Sequence, residues 1–135
     1  DETGQPNVSP KDIFAAFDSQ HIVVANIASP TSERNIEVNS RVCISFVDIF
    51  VQKGFKVIGT ARNIRRSDAD FSKWSTPLEA MAGAKFPIRS VFVIQAVSVE
   101  PIIAPSYRLY TAETTEKSQV ASAMQTYGVQ RSSDV

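Results

Sequence analysis

The run SVFVIQAVSVE, residues 90–100, is the sequence feature that most constrains the fold. Val91, Phe92, Val93 and Ile94 follow one another without a polar break, so a strand built from them is apolar on both faces and neither face can be left in water. Such a strand must lie inside a barrel wall, covered on its outside by a helix or by another subunit. The run therefore predicts a central strand in a layered, β-rich domain.

Three further stretches have the composition of strands. Residues 22–26, 41–51 and 54–65 are rich in Val, Ile and Phe, with turn residues between them. In the second stretch Val42, Ile44 and Phe46 alternate with smaller or polar neighbours, which is the period of a sheet with one core face. The link QKG between the second and third stretches is short and ends in glycine, so it predicts an antiparallel hairpin.

Three segments have helical patterns. One follows Ser29. The second is STPLEAMAG, where Ser75 or Thr76 can cap, Pro77 suits the first turn and Gly83 the stop. The third, residues 114–127, has apolar residues at helical spacing and ends before a glycine, residue 128. Long strands, few glycines and peripheral helices favour a small antiparallel barrel over a sandwich.

The length and composition predict one domain. The chain has 135 residues, of which 43% are hydrophobic, enough for one core and too few for two. We expect a single domain over residues 1–128 and a loose tail over 129–135. Asp1 to Gly4 has hairpin-turn chemistry with no strand before it. Either an upstream strand is absent from this chain or the barrel closes without one, and we favour the former.

Charge and rare residues exclude several classes of function. Fourteen basic residues balance fourteen acidic ones, so no global field attracts nucleic acid or an anionic membrane. The single Cys43, expected to be a buried thiol, cannot form an internal disulfide, and the single His21, expected at the surface, argues against a His-rich metal site. No run is long and apolar enough to cross a bilayer, and no signal peptide is visible. We therefore expect a cytoplasmic protein without a metal.

The stretch ASPTSERN is the strongest local candidate for a binding site. A helix that starts after Ser29 presents unpaired N–H groups and a partial positive charge to an anion. Thr31 and Ser32 add hydroxyls, and Arg34 adds a guanidinium one turn along. The pattern suits one phosphate group. By itself, however, it favours a plainer interpretation, in which Ser29 only caps the helix and Arg34 is a solvated charge.

Three segments together carry a resemblance to a known family. The segments GQPNVSPKD, IVVANIASPTSERNIEVNSRVCISFVD and QKGFKVIGTAR resemble the pyridoxamine 5'-phosphate oxidase-like (PNPOx-like) family of FMN-binding split barrels, and most closely its short flavoproteins. The likeness covers residues 4–63 closely, and the later APSYRLY with its terminal helix more loosely. It implies a mainly β fold, a six-stranded antiparallel split β-barrel with peripheral helices. It also implies a homodimer that binds two FMN molecules at the subunit interface.

The resemblance also implies cofactor contacts for thirteen positions. Those that match the strand beside the flavin ring are Val8, Ser9, Pro10 and Lys11. Those that match a strand end bordering the ring are Asn26, Ile27 and Ala28. The phosphate-binding positions are Ser29, Thr31, Ser32 and Arg34. Those on a hairpin that comes near the cofactor, often from the other subunit, are Gln52 and Lys53.

Several of these residue types have a plainer interpretation. Lys11 and Lys53 are of the type that is usually solvated, and Gln52 fits a turn. Trp74 and Tyr107 can stack on a flavin or a substrate, yet most aromatic residues in such a chain belong to the core or an interface. The sequence leaves these alternatives open and identifies no catalytic residue.

The chain departs from the full-length oxidases of this family in two places. Their C-terminal substrate segment pairs an arginine with a histidine, whereas here only Arg131 stands in a polar tail; their adjacent Arg and Lys are replaced by Ser32, Glu33 and Arg34. The resemblance therefore implies an FMN-dependent oxidoreductase for an unidentified small substrate rather than for pyridoxamine phosphate. Two alternatives are a non-catalytic module that binds or senses flavin, haem or deazaflavin, and a structural dimer that has lost its ligand.

Overall fold

The structure is a computed structural model that describes residues 1–132. Its elements in chain order are β1 (Phe14–Ala16), β2 (His21–Asn26), α1 (Pro30–Val38), β3 (Arg41–Asp48), β4 (Lys53–Arg65), α2 (Phe71–Ala82), β5 (Ser90–Ile103), α3 (Ser106–Leu109) and α4 (Glu116–Tyr127). The predicted helices after Ser29 and before Gly128 are both present. Gly128 ends α4 at φ 64°, a left-handed conformation that glycine adopts without strain.

The strands form one five-stranded sheet in the order β1-β2-β5-β4-β3. Strand β2 pairs antiparallel with β1, and also with β5, from His21↔Gln95 to Asn26↔Ser90. The mainly β, antiparallel fold class with peripheral helices is confirmed. Residues 1–132 contain five strands rather than the six that were predicted.

The segment from Val8 to Lys11 is not a strand, contrary to the role that the resemblance implied for it. The first strand begins at Phe14. Pro6 precedes the segment and Pro10 lies within it, and proline cannot donate to a ladder of backbone hydrogen bonds. The segment is therefore irregular, and its polar side chains bond to other elements.

Strand β5 is the buried central strand that its apolar run predicts. Ser90 and all four apolar residues that follow it are buried. Its neighbours in the sheet are β2 and β4. Val91 and Val93 pack in one core with Trp74 and Leu78 of α2. The covering helix that the sequence required is therefore α2.

Helix α2 begins four residues before the predicted cap, so the assignment of Ser75 and Thr76 as caps is wrong. Pro77 lies inside the helix rather than in its first turn. Trp74, Leu78 and Ala82 recur at helical spacing and are all buried, and this apolar face outweighs the cost of an internal proline. The predicted stop is confirmed, because Gly83 follows the last residue at φ 61°.

A short turn joins β3 and β4, which confirms the predicted hairpin because so short a link cannot connect parallel strands. The left-handed residue in the turn is Gln52, at φ 56°, and not the glycine. The side chain of Asp48 accepts hydrogen bonds from the N–H groups of Phe50 and Val51, at 2.8 and 3.3 Å. Gly54 has another role, because a Cβ there would lie 1.8 Å from the carbonyl oxygen of Phe46.

The chain divides into two compact units. The first comprises Asp1–Cys43 and Ile58–Ser98, and the second comprises Ile44–Val57 and the residues from Val99 onward. The main apolar core, which includes Val23, Ile64 and Ile88, lies in the first unit. In the second unit Ala123 of α4 is buried, and Tyr127 packs edge-on against Phe50 with ring centroids 6.2 Å apart. The predicted single domain stays a prediction, and residues 133–135 of the predicted tail lie outside the described residues.

Candidate functional site

Helix α1 begins at a serine whose side chain does not cap it. Ser29 occupies the N-cap position with φ −122° and ψ 65°, and its hydroxyl makes no hydrogen bond to the first turn. Pro30 has no N–H, and the N–H of Glu33 donates to the Ser29 carbonyl at 3.1 Å. Thr31 and Ser32 lie between these two residues, and their N–H groups come before the first hydrogen bond of the helix. The side chain of Ser29 therefore leaves this turn uncapped.

Lys11 forms a hydrogen bond with the hydroxyl of Ser29, the group that would otherwise cap α1. Its Nζ donates to Ser29 Oγ at 2.5 Å and to Ser9 Oγ at 2.6 Å, and the two hydroxyls lie 3.5 Å apart. A longer contact of 3.5 Å joins Nζ to the Pro10 carbonyl. Burial lowers the pKa of Lys11 below its usual 10.5, while Asp12 acts in the opposite direction. An ammonium group bonded to neutral hydroxyls thus lies at the positive end of α1.

Further polar side chains surround the same turn. Asn7 Nδ2 donates to Ser32 Oγ at 3.4 Å, and a guanidinium nitrogen of Arg34 donates to Thr31 Oγ1 at 3.4 Å. Thr31 and Arg34 are exposed, and Ser32 is half-buried. The four predicted phosphate-binding residues therefore lie within two turns of one helix, and Ser9 and Lys11 join them from the irregular segment.

Asn26, at the end of β2, forms side-chain hydrogen bonds that hold the start of α1 in place. Its side chain is 0% exposed. Its Oδ1 accepts from the Ser29 N–H at 3.0 Å, and its Nδ2 donates to Ser90 Oγ at 2.9 Å and to Glu33 Oε2 at 3.1 Å. The carboxylate of Glu33 also lies 3.7 Å from Arg89 Nε. These bonds tie the start of α1 to strands β2 and β5.

The predicted ring-side residues differ in exposure. Val8 is 94% exposed. Pro10 and Ala28 are also exposed, and Ile27 is half-buried and packs against the main core. An apolar side chain as exposed as Val8, next to a cluster of donors, is available to contact a ligand or another chain.

Gln52 and Lys53 belong to the second compact unit, and their contacts are with residues of that unit. The carbonyl of Gln52 accepts from the Ala104 N–H at 3.1 Å. Lys53 Nζ donates to Glu116 Oε1 at 2.8 Å and lies 4.4 Å from the centre of the Tyr107 ring. The hydrogen bond to Glu116 raises the pKa of Lys53. The hydroxyl of Tyr107 donates to the Val51 carbonyl at 2.7 Å.

The remaining chemically distinctive side chains are structural or exposed. Trp74 is buried in the core, and its Nε1 donates to Asp70 Oδ2 at 2.9 Å. His21 is half-buried, with Nδ1 2.9 Å from Asp18 Oδ1 and its ring centroid 5.5 Å from that of Trp74. Cys43 is exposed, so its assignment as a buried thiol is wrong. The side chain sits on the outer face of β3, opposite the half-buried Val42 and Ile44.

Sequence reasoning missed three residues that shape the site. Asn7 bonds to Ser32 in the first turn of α1, Glu33 in that turn bonds to Asn26, and Glu116 holds Lys53. Only Glu33 carried a local signal, since an acidic residue near a helix start is favourable. Its actual partner, Asn26, could not be read from that signal.

The described residues set two further bounds. Among residues 1–132, no group of three or more His, Cys, Asp and Glu side chains could hold a metal ion. In the same residues, none of the helices has both the length and the apolar character needed to cross a membrane.

Comparisons with known proteins agree with this fold. The profile of the family described as pyridoxamine 5'-phosphate oxidase matches residues 1–121. A search of curated proteins finds no match. Among solved structures, HupZ from Group A Streptococcus is similar with a TM-score of 0.64 and 22% identity, covering 76% of this chain and 78% of that chain.

Two other solved structures are similar. A provisionally assigned pyridoxamine 5'-phosphate oxidase from Lactobacillus delbrueckii has a TM-score of 0.59 and 22% identity, covering 73% of this chain and 75% of that chain. An FMN-binding protein from Syntrophomonas wolfei has a TM-score of 0.57 and 14% identity, covering 70% of this chain and 67% of that chain. These structures share the split-barrel fold class. Because the profile match spans most of its length, the chain belongs to the pyridoxamine 5'-phosphate oxidase family.

Proposed function

We propose that this chain is an FMN-binding flavoprotein that binds the phosphate of FMN at the start of α1 and acts as an oxidoreductase on a small substrate. The observation that carries the proposal is that Ser29 does not cap its helix. Its hydroxyl instead bonds to Lys11 at 2.5 Å, which leaves the first turn of α1 open beside an ammonium group.

The residues present fit a phosphate group. A helix N-terminus and a nearby cation both favour a dianion. Thr31 and Ser32 supply N–H groups and hydroxyls, and Lys11 and Arg34 supply positive charge. The contact of Arg34 with Thr31 is long, at 3.4 Å, so its guanidinium can turn to a phosphate at little cost.

Family membership supports a flavin as the molecule that carries the phosphate. The similar protein from Syntrophomonas wolfei binds FMN, and the exposed Val8, Pro10 and Ala28 offer apolar contact beside the donors. We propose that these residues, with Ile27 and the neighbouring backbone, lie beside the ring. FMN, when bound, supplies hydride or electron transfer. The protein then has to hold the phosphate, exclude water from the ring and keep positive charge at Lys11.

We further propose that the protein is a homodimer with FMN at the subunit interface. Exposed apolar side chains in the second unit support this, among them Phe55, 55% exposed, and Val99, 59% exposed. Large exposed apolar residues commonly mark interfaces. Gln52 and Lys53 would then approach the cofactor of the partner subunit. Light scattering on the purified protein, with and without FMN, tests the dimer; a monomer under both conditions would contradict it.

The phosphate assignment is tested by Arg34→Ala, with Lys117→Ala as the matched control. Both variants remove one exposed cation from a helix, but only Arg34 lies near the proposed phosphate. We expect Arg34→Ala to weaken FMN binding roughly tenfold, as for the loss of a charge-assisted hydrogen bond, and Lys117→Ala to leave it unchanged. Titration of flavin fluorescence measures both affinities. Equal flavin affinity in the two variants would contradict the assignment.

The purified wild-type protein tests the cofactor itself. Flavin absorption bands, with FMN identified by mass spectrometry, would support the proposal. A Soret band would indicate haem instead, and a colourless protein that takes up no added FMN would contradict both. Turnover with a reduced nicotinamide would then separate an oxidoreductase from a non-catalytic flavin carrier.

A further inference from the structure

Asn26 is a buried amide whose orientation is chemically determined. Its side chain is 0% exposed. The Ser29 N–H, 3.0 Å from Oδ1, can only donate, and the carboxylate oxygen Oε2 of Glu33, 3.1 Å from Nδ2, accepts. Both amide hydrogens are used, because Nδ2 also donates to Ser90 Oγ at 2.9 Å. The amide therefore has no donor left for a cofactor.

The bonds of Asn26 join three elements at one point. Its backbone carbonyl accepts from the Arg89 N–H at 2.9 Å, at the start of β5. Its side chain bonds to the N-cap residue and to the first turn of α1. A fully bonded buried polar network of this kind specifies one arrangement of the groups that it joins. The hydrogen bonds of Asn26, a residue of β2, thus fix the direction of the first turn of α1.

The Glu33 carboxylate bonds to Asn26 rather than to the open N–H groups of its own helix. An acidic side chain in the first turn commonly bends back to the open N–H groups of its own helix. Here Arg65 Nε and Arg89 Nε lie 3.9 and 3.7 Å from the Glu33 carboxylate, and Asn26 bonds to it directly. Glu33 is the fourth residue of α1, one beyond the capping-box position, which Ser32 occupies, and the Ser29 N–H is bound by Asn26.

We propose that Asn26 is a positioning residue that keeps the first turn of α1 open for the phosphate. It accepts from the Ser29 N–H, which fixes the residue whose hydroxyl bonds to Lys11, and it donates to the Glu33 carboxylate, which holds that negative charge away from the open N–H groups. The inference rests on the proposed FMN function. It assigns Asn26 to the support of the site rather than to contact with the flavin ring.

The test reverses the direction of the hydrogen bond between Asn26 and Glu33, so that residue 26 accepts and residue 33 donates. Asn26→Asp keeps the size of the side chain and its bond to the Ser29 N–H, but it places a carboxylate against that of Glu33. Adding Glu33→Gln supplies an amide that can donate to the new carboxylate, so the bond returns with its direction reversed and the net charge is that of the wild type. Asn35→Asp is the matched control, because it adds the same negative charge within α1 rather than next to its first turn at the end of β2.

Two measurements are made on each variant. The ratio of riboflavin to FMN dissociation constants, from flavin fluorescence, reports on the phosphate site specifically. Hydrogen exchange of the α1 amides in flavin-free protein reports on the position of the helix. We expect Asn26→Asp to lower the FMN preference at least about tenfold, as for an unpaired buried charge, and to speed exchange in α1. The double variant should restore both values to within about threefold, and Asn35→Asp should change neither by more than about threefold.

The outcomes separate the inference from the proposed function. A wild-type protein that binds riboflavin as tightly as FMN would contradict the phosphate site, and the inference would fail with it. A wild-type preference for FMN that survives in folded Asn26→Asp would overturn the inference alone. If Asn26→Asp does not fold, the double variant decides. A folded double variant with wild-type preference supports the inference, and a double variant that is unfolded or lacks the preference overturns it.

Discussion

Helices α1 and α4 begin with similar residues but use them differently. Thr115 caps α4 in the usual way: its hydroxyl accepts from the Ser118 N–H at 3.1 Å, and Ser118 Oγ accepts from the Thr115 N–H at 2.9 Å. Ser29 stands at the same position of α1, but its hydroxyl bonds to Lys11. The start of α4 is closed by its own side chains, and the start of α1 is open.

The backbone accounts for part of this difference. Thr115 has ψ 163°, in the extended range typical of a cap, whereas Ser29 has ψ 65°. Pro30 restricts the residue before it, and Asn26 holds the Ser29 N–H. A serine or threonine before a helix therefore does not by itself report how the helix ends. The partners of that residue decide whether the start of the helix is capped or left open.

Among the variants that test the difference between the starts of α1 and α4, we expect Lys11→Met to change FMN affinity most. The variant removes the cation at the open helix end while keeping an unbranched side chain. Because a hydrogen bond to a charged group contributes about 1.5–3 kcal/mol, we expect FMN affinity to fall by ~10- to 100-fold. Lys117→Met, in the first turn of α4, is the matched control and should bind FMN like the wild type. Fluorescence titration measures both, and a Lys11→Met protein with wild-type affinity would remove the distinction between the two helix ends.

Ser29→Ala should weaken FMN binding less, because it removes one neutral hydroxyl. We expect a loss of roughly three- to tenfold in affinity, in line with the energy of a single neutral hydrogen bond. The flavin-free variant should lose less stability than Thr115→Ala, since this hydroxyl caps no helix N–H and its partner Lys11 keeps its bond to Ser9. A large fall in Tm with unchanged FMN affinity would mean that Ser29 acts as an ordinary cap after all.

Thr115→Ala should show the opposite pattern. Loss of the capping box is expected to lower the free energy of unfolding by about 1 kcal/mol. FMN affinity, measured on folded protein, should not change, because we propose no phosphate contact at α4. Urea denaturation of this variant beside Ser29→Ala gives the comparison directly. Equal stability losses in the two variants would show that both helices are capped alike.

The smallest effect that we predict is a pH dependence. Burial holds the pKa of Lys11 below its usual 10.5 in the flavin-free protein. Since the folded state releases this proton first, the contribution of Lys11 to stability rises with pH between the lowered pKa and 10.5. A bound phosphate favours the charged amine, so FMN affinity should fall as pH rises through that lowered pKa. Titration series in alkaline buffers measure this, and Lys11→Met should lack the Lys11 part of the dependence.

Local patterns predicted much of the secondary structure. The apolar run before Gln95 identified the central strand, Ser29 marked the start of α1, and Gly128 marked the end of α4. The prediction failed at α2, because Pro77 suggested a start that the buried face of the helix overrides. It also failed in the segment from Val8 to Lys11, where the resemblance implied a strand that Pro6, just before the segment, and Pro10, within it, disfavour.

The sequence predicted which residues belong to the candidate site, but not the hydrogen bonds between them. Hydroxyls and Arg34 near a helix start can be read from adjacent positions, and so can their affinity for an anion. The capping role of Ser29 could not be settled in this way, because its competitor, Lys11, is 18 residues away. The bond from Asn26 to Ser90 spans 64 residues, and no local pattern reports it.

By itself, then, the sequence determined most of the strands and helices, since apolar periodicity and helix-terminal residues act over a few positions. It did not predict β1, α3 or the start of α2. It also determined, through resemblance, the family to which the chain belongs. Only the tertiary structure decided that Lys11 and Ser29 meet and that Asn26 is buried beneath them. Such pairings depend on which strands become neighbours, and that choice is made by burial of the whole core rather than by any single segment.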